Sequence, residues 1–517
     1  MDNSRTQNSI RNIAFGLVNR TVSILFPFIV RTIFIHFLGG EYLGLNSLYS
    51  SILQVLNLAD LGFASAIVAS MYKPIADGEV VKVSALMNLY RKLYKIIGVT
   101  ILIVGLFLML FIDKFISGTP PAKVNIYVLW FLYLVHTVVS YLFFAYKVSL
   151  INAHQRNDIT EMIGAICRIV ISILQIMVVV VFKSIYLYVL LTIINSIIYN
   201  LWCSFECNRH FPQYICAGEL DSETKRYITK NIGALALQKI GNTVSVSLDS
   251  IVISTFLGLT TVAVYGNYNY IVSAVATFVN LIYSAITASI GNSIAMETPK
   301  KNFYDLRKFF FLNIWLIGWC CICFICLFQD FMIVWMGKDL LFGITTVLSL
   351  VIRFYFDQIR KVVLTYKDAA GMWWADKWRP LVGCIVNLTL NILLVQIIGV
   401  SGVMISTIIS YAFVEMPWET HVLFKLYFEC SEKNYYIEMI TTTLRISIAG
   451  GITYYICTLV NVDHIVAIII KLVVCVILPN AIFILLNIKN RDFILGIEFL
   501  IKVAEGIRRK RSSACHR

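Results

Sequence analysis

Apolar runs of about 20 residues, the length a helix needs to cross bilayer hydrocarbon, recur along the whole of this 517-residue chain. Short polar stretches separate them. Inside a bilayer every backbone polar group must find its partner within the protein, which leaves helices as the spanning element for runs of this length. Charged residues make up 14% of the chain, against about 25% in an ordinary soluble domain. A soluble multidomain enzyme, a disordered chain and a disulfide scaffold are thereby excluded. The chain reads as an all-α polytopic membrane protein.

The runs give fourteen spans, near 12–36, 43–70, 93–112, 124–146, 160–181, 184–207, 230–257, 262–290, 309–328, 341–366, 379–398, 400–424, 439–459 and 464–487. The first is a poor signal peptide, because Arg20 and Arg31 interrupt it and no small-residue cleavage site follows. The net charge of +14 is spread over the loops rather than over a soluble face, so it points to membrane orientation and not to nucleic acid. With the N-terminus inside, the inside segments 1–11, 71–95, 147–159, 208–230, 291–308, 360–379, 425–438 and 488–517, which overlap the span ends, hold 32 of the 43 Lys and Arg residues, the outside loops 4 and the remaining span interiors 7. A miscounted span would scramble that alternation. Both termini are therefore expected inside, on the cytoplasmic face, with no domain outside. In the tail, Phe493, Ile497, Leu500, Ala504 and Ile507 recur at helical spacing before Arg508, Arg509, Lys510 and Arg511, the pattern of an amphipathic helix on an anionic leaflet.

The chain also repeats itself. A shift of 219 residues lays Arg11-Asn12-Ile13 on Lys230-Asn231-Ile232, and Phe37-Leu38-Gly39 on Phe256-Leu257-Gly258. It also lays Ser65-Ala66-Ile67-Val68-Ala69-Ser70 on Ser284-Ala285-Ile286-Thr287-Ala288-Ser289, and Arg20 on Lys239. Six spans separate the copies, so the repeat is parallel, about an axis along the membrane normal. The expected organisation is an N-lobe at 1–210, a cytoplasmic linker at 211–229, a C-lobe at 230–428, two further spans at 429–487 and a basic amphipathic tail at 488–517.

Polar residues inside spans face a cavity or another helix. Here they form stripes on equivalent spans of both lobes: Asn12, Arg20, Ser23 and Arg31 on the first; Asn46, Gln54, Asn57 and Asp60 on the second; Asn231, Asn242 and Asp249 on the seventh; Asn269, Thr277 and Asn280 on the eighth. Single stripes suit helix-to-helix hydrogen bonds, but four in register point to a water-filled cavity. Its cations would be Arg20, Arg31, Arg168, Lys239 and Arg353, with Asp60, Asp249 and Asp357 as acids. Arg353 and Asp357, four apart, are expected to pair, and Arg31 is close enough to its helix end to snorkel outward. A cationic cavity implies an anionic passenger, and the planar fork of arginine suits phosphate oxygens. Substrate contacts are expected at these five cations and at Asn57, Asp60, Asn242 and Asn280. The thirteen cysteines lie mostly in apolar runs, where a thiol packs as a small hydrophobe. Cys320, Cys321, Cys323 and Cys326 have the spacing of a metal cluster but no His or carboxylate among them, so packing is the expected role. Phosphate-loop, dinucleotide, HExxH and nucleophile-elbow patterns are absent, which leaves an ion gradient or the membrane potential as the energy source.

The opening RNIAFGLVNR, then FLGGEYLGLNSLYSSILQVLNLADLGFASAI, the twofold six-span repeat, two extra spans and basic inside loops together resemble the polysaccharide-transporter branch of the MOP superfamily, the Wzx-type flippases of O-antigen and capsule repeat units. The resemblance covers essentially the whole chain. It implies two six-helix lobes around a V-shaped central cavity in the bacterial cytoplasmic membrane. Undecaprenyl-pyrophosphate-linked oligosaccharide would pass from inner to outer leaflet by alternating access, without an enzymatic step. Membrane lipids and polysaccharide polymerase machinery would be its partners. In the lipid II flippases of the superfamily, sodium is held by an Asp on span 7, an Asn and an Asp four apart on span 11, and a carbonyl and a Thr on span 12. The matching positions are Asp249, Asn387, Asn391, Val403 and Thr407, oxygen ligands suited to a hard cation. Asn391 stands where those flippases carry Asp, which removes one negative charge and weakens the case for sodium against protons. Two other readings compete. A multidrug/cation antiporter would share the fold but needs an acidic cavity. A polymerase or ligase needs a large outer loop with catalytic residues.

Overall fold

The computed structural model describes residues 2–57, 63–118, 120–222, 225–226 and 247–515, and every regular element among them is a helix. In chain order these are α1 (Asp2–Leu38), α2 (Gly40–Leu56), α3 (Phe63–Ala76), α4 (Val80–Met109), α5 (Ile126–Leu142), α6 (Ala145–Ala153), α7 (Asn157–Phe182), α8 (Ile185–His210), α9 (Ser247–Leu257), α10 (Leu259–Met296), α11 (Pro299–Met336), α12 (Ile344–Ile359), α13 (Lys361–Ala369), α14 (Arg379–Ile398), α15 (Val400–Ser410), α16 (Met416–Leu423), α17 (Lys433–Thr458), α18 (His464–Asn487) and α19 (Arg491–Cys515). Each of the fourteen expected spans contains a helix. Among the described residues eight helices are long and apolar enough to cross a membrane by themselves, and a ninth is the pair α5 and α6, bent by 47°. The bend falls at Phe144, whose backbone is left-handed with φ 54°.

Breaks elsewhere follow local chemistry. Gly39, between α1 and α2, has φ 98°, and Gly258, between α9 and α10, has φ 85°. A side chain is strained in that region and glycine is not. These are the two glycines that the 219-residue shift superposes, so the repeat has kept its helix corner as well as its words. Between α15 and α16, Tyr411–Glu415 form a π-turn just ahead of Pro417. Proline has no N–H for the carbonyl of Phe413 four residues back, and a wider turn accommodates the loss.

The helices gather into two compact units. The first comprises 1–267 with 380–403, and the second 268–379 with 404–517. They divide the chain by contact, whereas the expected lobes 1–210 and 230–428 divide it by sequence symmetry. In the first unit α1 runs along α7, α4 and α7 pack on α5 and α8, and α3 lies against α4 and α6. Its core is built on Tyr49, Trp130, Leu134, Tyr90 and Ile163, with the Tyr49 ring meeting Trp130 and Tyr133 edge-on at 5.4 and 5.6 Å. Polar anchors are buried with it: the indole of Trp130 donates to the Gly105 carbonyl at 2.9 Å.

In the second unit α11 is the central post. Its 38 residues extend about 57 Å, well beyond the roughly 30 Å of hydrocarbon. α12, α17, α18 and α19 pack around it. Gly318 faces the Ile446 side chain so closely that a Cβ would lie 2.5 Å from its Cδ1, the small-residue contact that membrane helices use to approach. The tail is helical, as its periodicity predicts. Its first turns dock on α11: Phe493 is buried, Arg307 pairs with Asp492 at 2.7 Å, and the Phe499 ring meets Phe309.

Candidate functional site

A buried oxygen cluster occupies the first unit. Asp249 on α9 is 0% exposed, and Asn387 and Asn391, one turn apart on α14, are 1% and 0% exposed. The Asn391 amide donates to an Asp249 carboxylate oxygen at 3.0 Å and to the Asn387 side-chain oxygen at 3.3 Å. The Tyr265 hydroxyl on α10 donates to the other Asp249 oxygen at 3.5 Å. The expected juxtaposition of Asp249, Asn387 and Asn391 is therefore present. Val403 is buried at the end of the same unit, while Thr407, also buried, belongs to the second unit. The donor set is carboxylate, amide, carbonyl and hydroxyl oxygen, which fits a hard cation. In this geometry Asn391 offers its N–H rather than its oxygen. Half a turn about the amide reverses that, and only then does Asn391 become a cation ligand.

The cations expected in a cavity are distributed differently. Arg20 on α1 is exposed and makes no ion pair among the described residues. Arg168 on α7 is half-buried, and its Nε makes no hydrogen bond among the described residues. Arg31 donates its Nε to the Asn267 side chain, so a partner on α10 holds it at this site. Arg353 is half-buried on α12, with Nη1 3.6 Å from the Met404 sulfur. Asp357 accepts from Gln358 at 2.8 Å and lies 3.9 Å from Lys361. Asn280 is exposed, and Asn57 caps α2 with its side-chain oxygen buried. Lys239, Asp60 and Asn242 lie outside the described residues. Some of the polar stripe proves to be helix-to-helix bonding, since Asn46 accepts from Tyr133 and Gln54 from Ser247 at 3.2 Å.

The largest buried charge set was not anticipated from the sequence. Arg360, Lys367 and Arg379 meet Asp376, Glu415 and Glu419 in the second unit, all 0–3% exposed. Arg360 reaches Glu415 and Glu419, and its guanidinium lies 4.6 Å from the Tyr411 ring centroid. Arg379 contacts both glutamates at 2.6 Å and Asp376 at 3.0 Å, and Lys367 contacts Asp376. Three cations thus face three carboxylates. These three cations belong to the expected inside segment 360–379, and the acids expected within spans do not include Glu415 and Glu419. The available signal was the pair of glutamates four residues apart inside the twelfth span, where a lone carboxylate is costly and its partner must be sought.

The same architecture occurs in solved transporters of low sequence identity. The lipid II flippase MurJ, in an inward closed conformation, matches with a TM-score of 0.71 and 14% identity, over 93% of this chain and 100% of that one. An inward-facing multidrug resistance MATE family transporter of the MOP superfamily gives 0.62 and 15%, over 81% and 96%. A MOP superfamily transporter from Pyrococcus furiosus gives 0.56 and 13%, over 81% and 95%. No curated protein sequence matches the chain. The model of one family, described as polysaccharide biosynthesis protein, matches residues 9–288, more than half of the chain. The fold is that of the MOP superfamily, and the chain belongs to the polysaccharide biosynthesis protein family.

Proposed function

We propose that this protein is a flippase of the bacterial cytoplasmic membrane that moves undecaprenyl-pyrophosphate-linked oligosaccharide repeat units from the inner to the outer leaflet. The observation that carries the reading is the family match over residues 9–288. The likeness to a lipid II flippase supports it. Transport proceeds by alternating access of the two repeat-related lobes, with both termini cytoplasmic and no covalent chemistry on the substrate. Arg20, Arg168 and Arg353, with Lys239, are the anion contacts. Arg20 is the best placed of them, being exposed on α1 ahead of a stretch, 21–30, that holds no charged residue. Polymerase machinery would take the product.

Asp249, Asn387 and Asn391, with the Val403 carbonyl, are the coupling site. A sodium ion held there would supply positive charge to the buried Asp249 carboxylate. A proton on Asp249 would do the same with no metal, and the loss of a carboxylate at Asn391 favours that alternative. Asp249 is the residue both schemes require, because it alone in the set changes charge.

The test is lipid analysis of a deletion strain. Lipid-linked repeat units should accumulate on the inner leaflet, and surface polysaccharide should disappear. Normal surface polymer in the deletion strain would overturn the reading. The likeness to multidrug transporters favours a second reading, a cation antiporter. That reading gains if the deletion lowers drug resistance while polysaccharide export persists.

A further inference from the structure

Four thiols converge where α11, α17 and α18 meet in the second unit. The sulfurs of Cys326, Cys457 and Cys475 all lie within 4.8 Å of one another, one from each helix. Cys323, one turn before Cys326 on α11, lies beside Cys475. Cys326, Cys457 and Cys475 are 6%, 2% and 0% exposed, and all four thiols are free. Along the same helices stands a polar set: Asp330 lies four residues beyond Cys326, and Lys471 four residues before Cys475. Asp330 accepts from Lys471 at 2.5 Å and is 2.8 Å from the His464 ring nitrogen. His464 opens α18 and is partly exposed, which brings this polar set to the solvent-facing end of the two helices.

We propose that Cys326, Cys457 and Cys475, with Cys323, form a binding site for a thiophilic d10 metal ion, Zn2+ or Cu+, which ties α17 and α18 to α11. Soft thiolate ligands select these ions, and neither requires a geometry the three helices cannot supply. Binding exchanges sulfur–proton bonds for sulfur–metal bonds. Each coordinating thiol gives up its proton to solvent, three for trigonal Cu+ and four for tetrahedral Zn2+, so either bound site carries a formal charge of −2. Three sulfurs suffice for trigonal Cu+, and Cys323 supplies the fourth for tetrahedral Zn2+. The spacing of the cysteines on α11 alone did not make this site. It depends on single cysteines from two later helices.

The experiment uses the full-length protein, purified reduced in detergent, with Cd2+ as the spectroscopic probe. One Cd2+ per chain should bind with a sulfur-to-metal charge-transfer band that survives desalting, and added Zn2+ or Cu+ should abolish it and raise the melting temperature. Cys475→Ser should lose the band, whereas Cys430→Ser, an exposed cysteine elsewhere, should keep it. If Cys475→Ser does not fold, Cys457→Ala is read in its place, and the wild-type titration decides independently of both. Loss of the band in Cys323→Ser identifies the four-sulfur form, and its persistence there the three-sulfur form. Absence of the band, a band unchanged in Cys475→Ser and Cys457→Ala, or a disulfide among these cysteines in the purified protein would overturn the proposal.

Discussion

The oxygen cluster of the first unit and the ion network of the second bury charge in opposite ways. In the first, one carboxylate, Asp249, is set among amide and phenol side chains on α9, α10 and α14. In the second, three carboxylates are matched by three cations within a few ångströms of each other on α12–α16. A balanced set gains nothing by taking up an ion, and it resists any movement that would separate its members. A carboxylate that accepts hydrogen bonds from an amide and a phenol can keep them while it gains or loses a proton or a cation. The first arrangement is suited to coupling and the second to fastening, and the difference can be tested one residue at a time.

The largest effect is expected from Arg360→Ala. Removing it leaves Glu415 and Glu419 buried with one cation fewer, a loss of about 3–5 kcal/mol. Folded, monodisperse protein in detergent should fall sharply. Replacing Arg360 and Glu419 together by Met should cost less than the single change, because no buried charge is then stranded. A wild-type melting temperature for Arg360→Ala would show that the network does not fasten anything.

Asp249→Asn should do the reverse. The neutral isostere keeps an oxygen for Asn391 and Tyr265, so the melting temperature should hold while gradient-driven transport in proteoliposomes stops. Full, gradient-responsive transport by this variant would remove Asp249 from coupling and make the two units alike.

Much of this was legible in the sequence. Span length placed a helix in each of the fourteen expected spans, because hydrocarbon thickness fixes it, while α19 came from the periodicity of the tail. The repeat placed both corner glycines. The Asp249, Asn387 and Asn391 cluster came from a family resemblance. The network stayed hidden for a physical reason: Arg360, Lys367 and Arg379 sit in a loop-like stretch where basic residues are ordinarily solvated, and only the tertiary path of α16 brings glutamates to them. The thiol cluster was hidden likewise, since Cys457 and Cys475 are isolated in sequence.

Arg20→Ala carries a smaller structural penalty. The side chain is exposed, so stability should change by no more than about 0.5 kcal/mol. Export should nevertheless be lost, and Arg20→Lys should restore part of it, since charge survives without the two-pronged donor. Normal export by Arg20→Ala at normal expression would exclude this residue as an anion contact. The smallest expected change is a gain: Asn391→Asp adds a second carboxylate beside Asp249 and should tighten sodium dependence by about tenfold, ~1.4 kcal/mol. An unchanged sodium response would assign coupling to protons.

The π-turn at Tyr411–Glu415 has a genetic consequence. One residue of an α-helix advances the winding by about 100°. Deleting one residue from an ordinary α-turn would rotate everything downstream by that angle. A π-turn holds one residue more than an α-turn, so it can lose one and close into α-helix with Glu415 and Glu419 still near their cations. A three-nucleotide deletion within 411–414 should therefore be better tolerated than one in α12 or α14. Natural variants of the chain should differ by one residue here more readily than elsewhere in these helices.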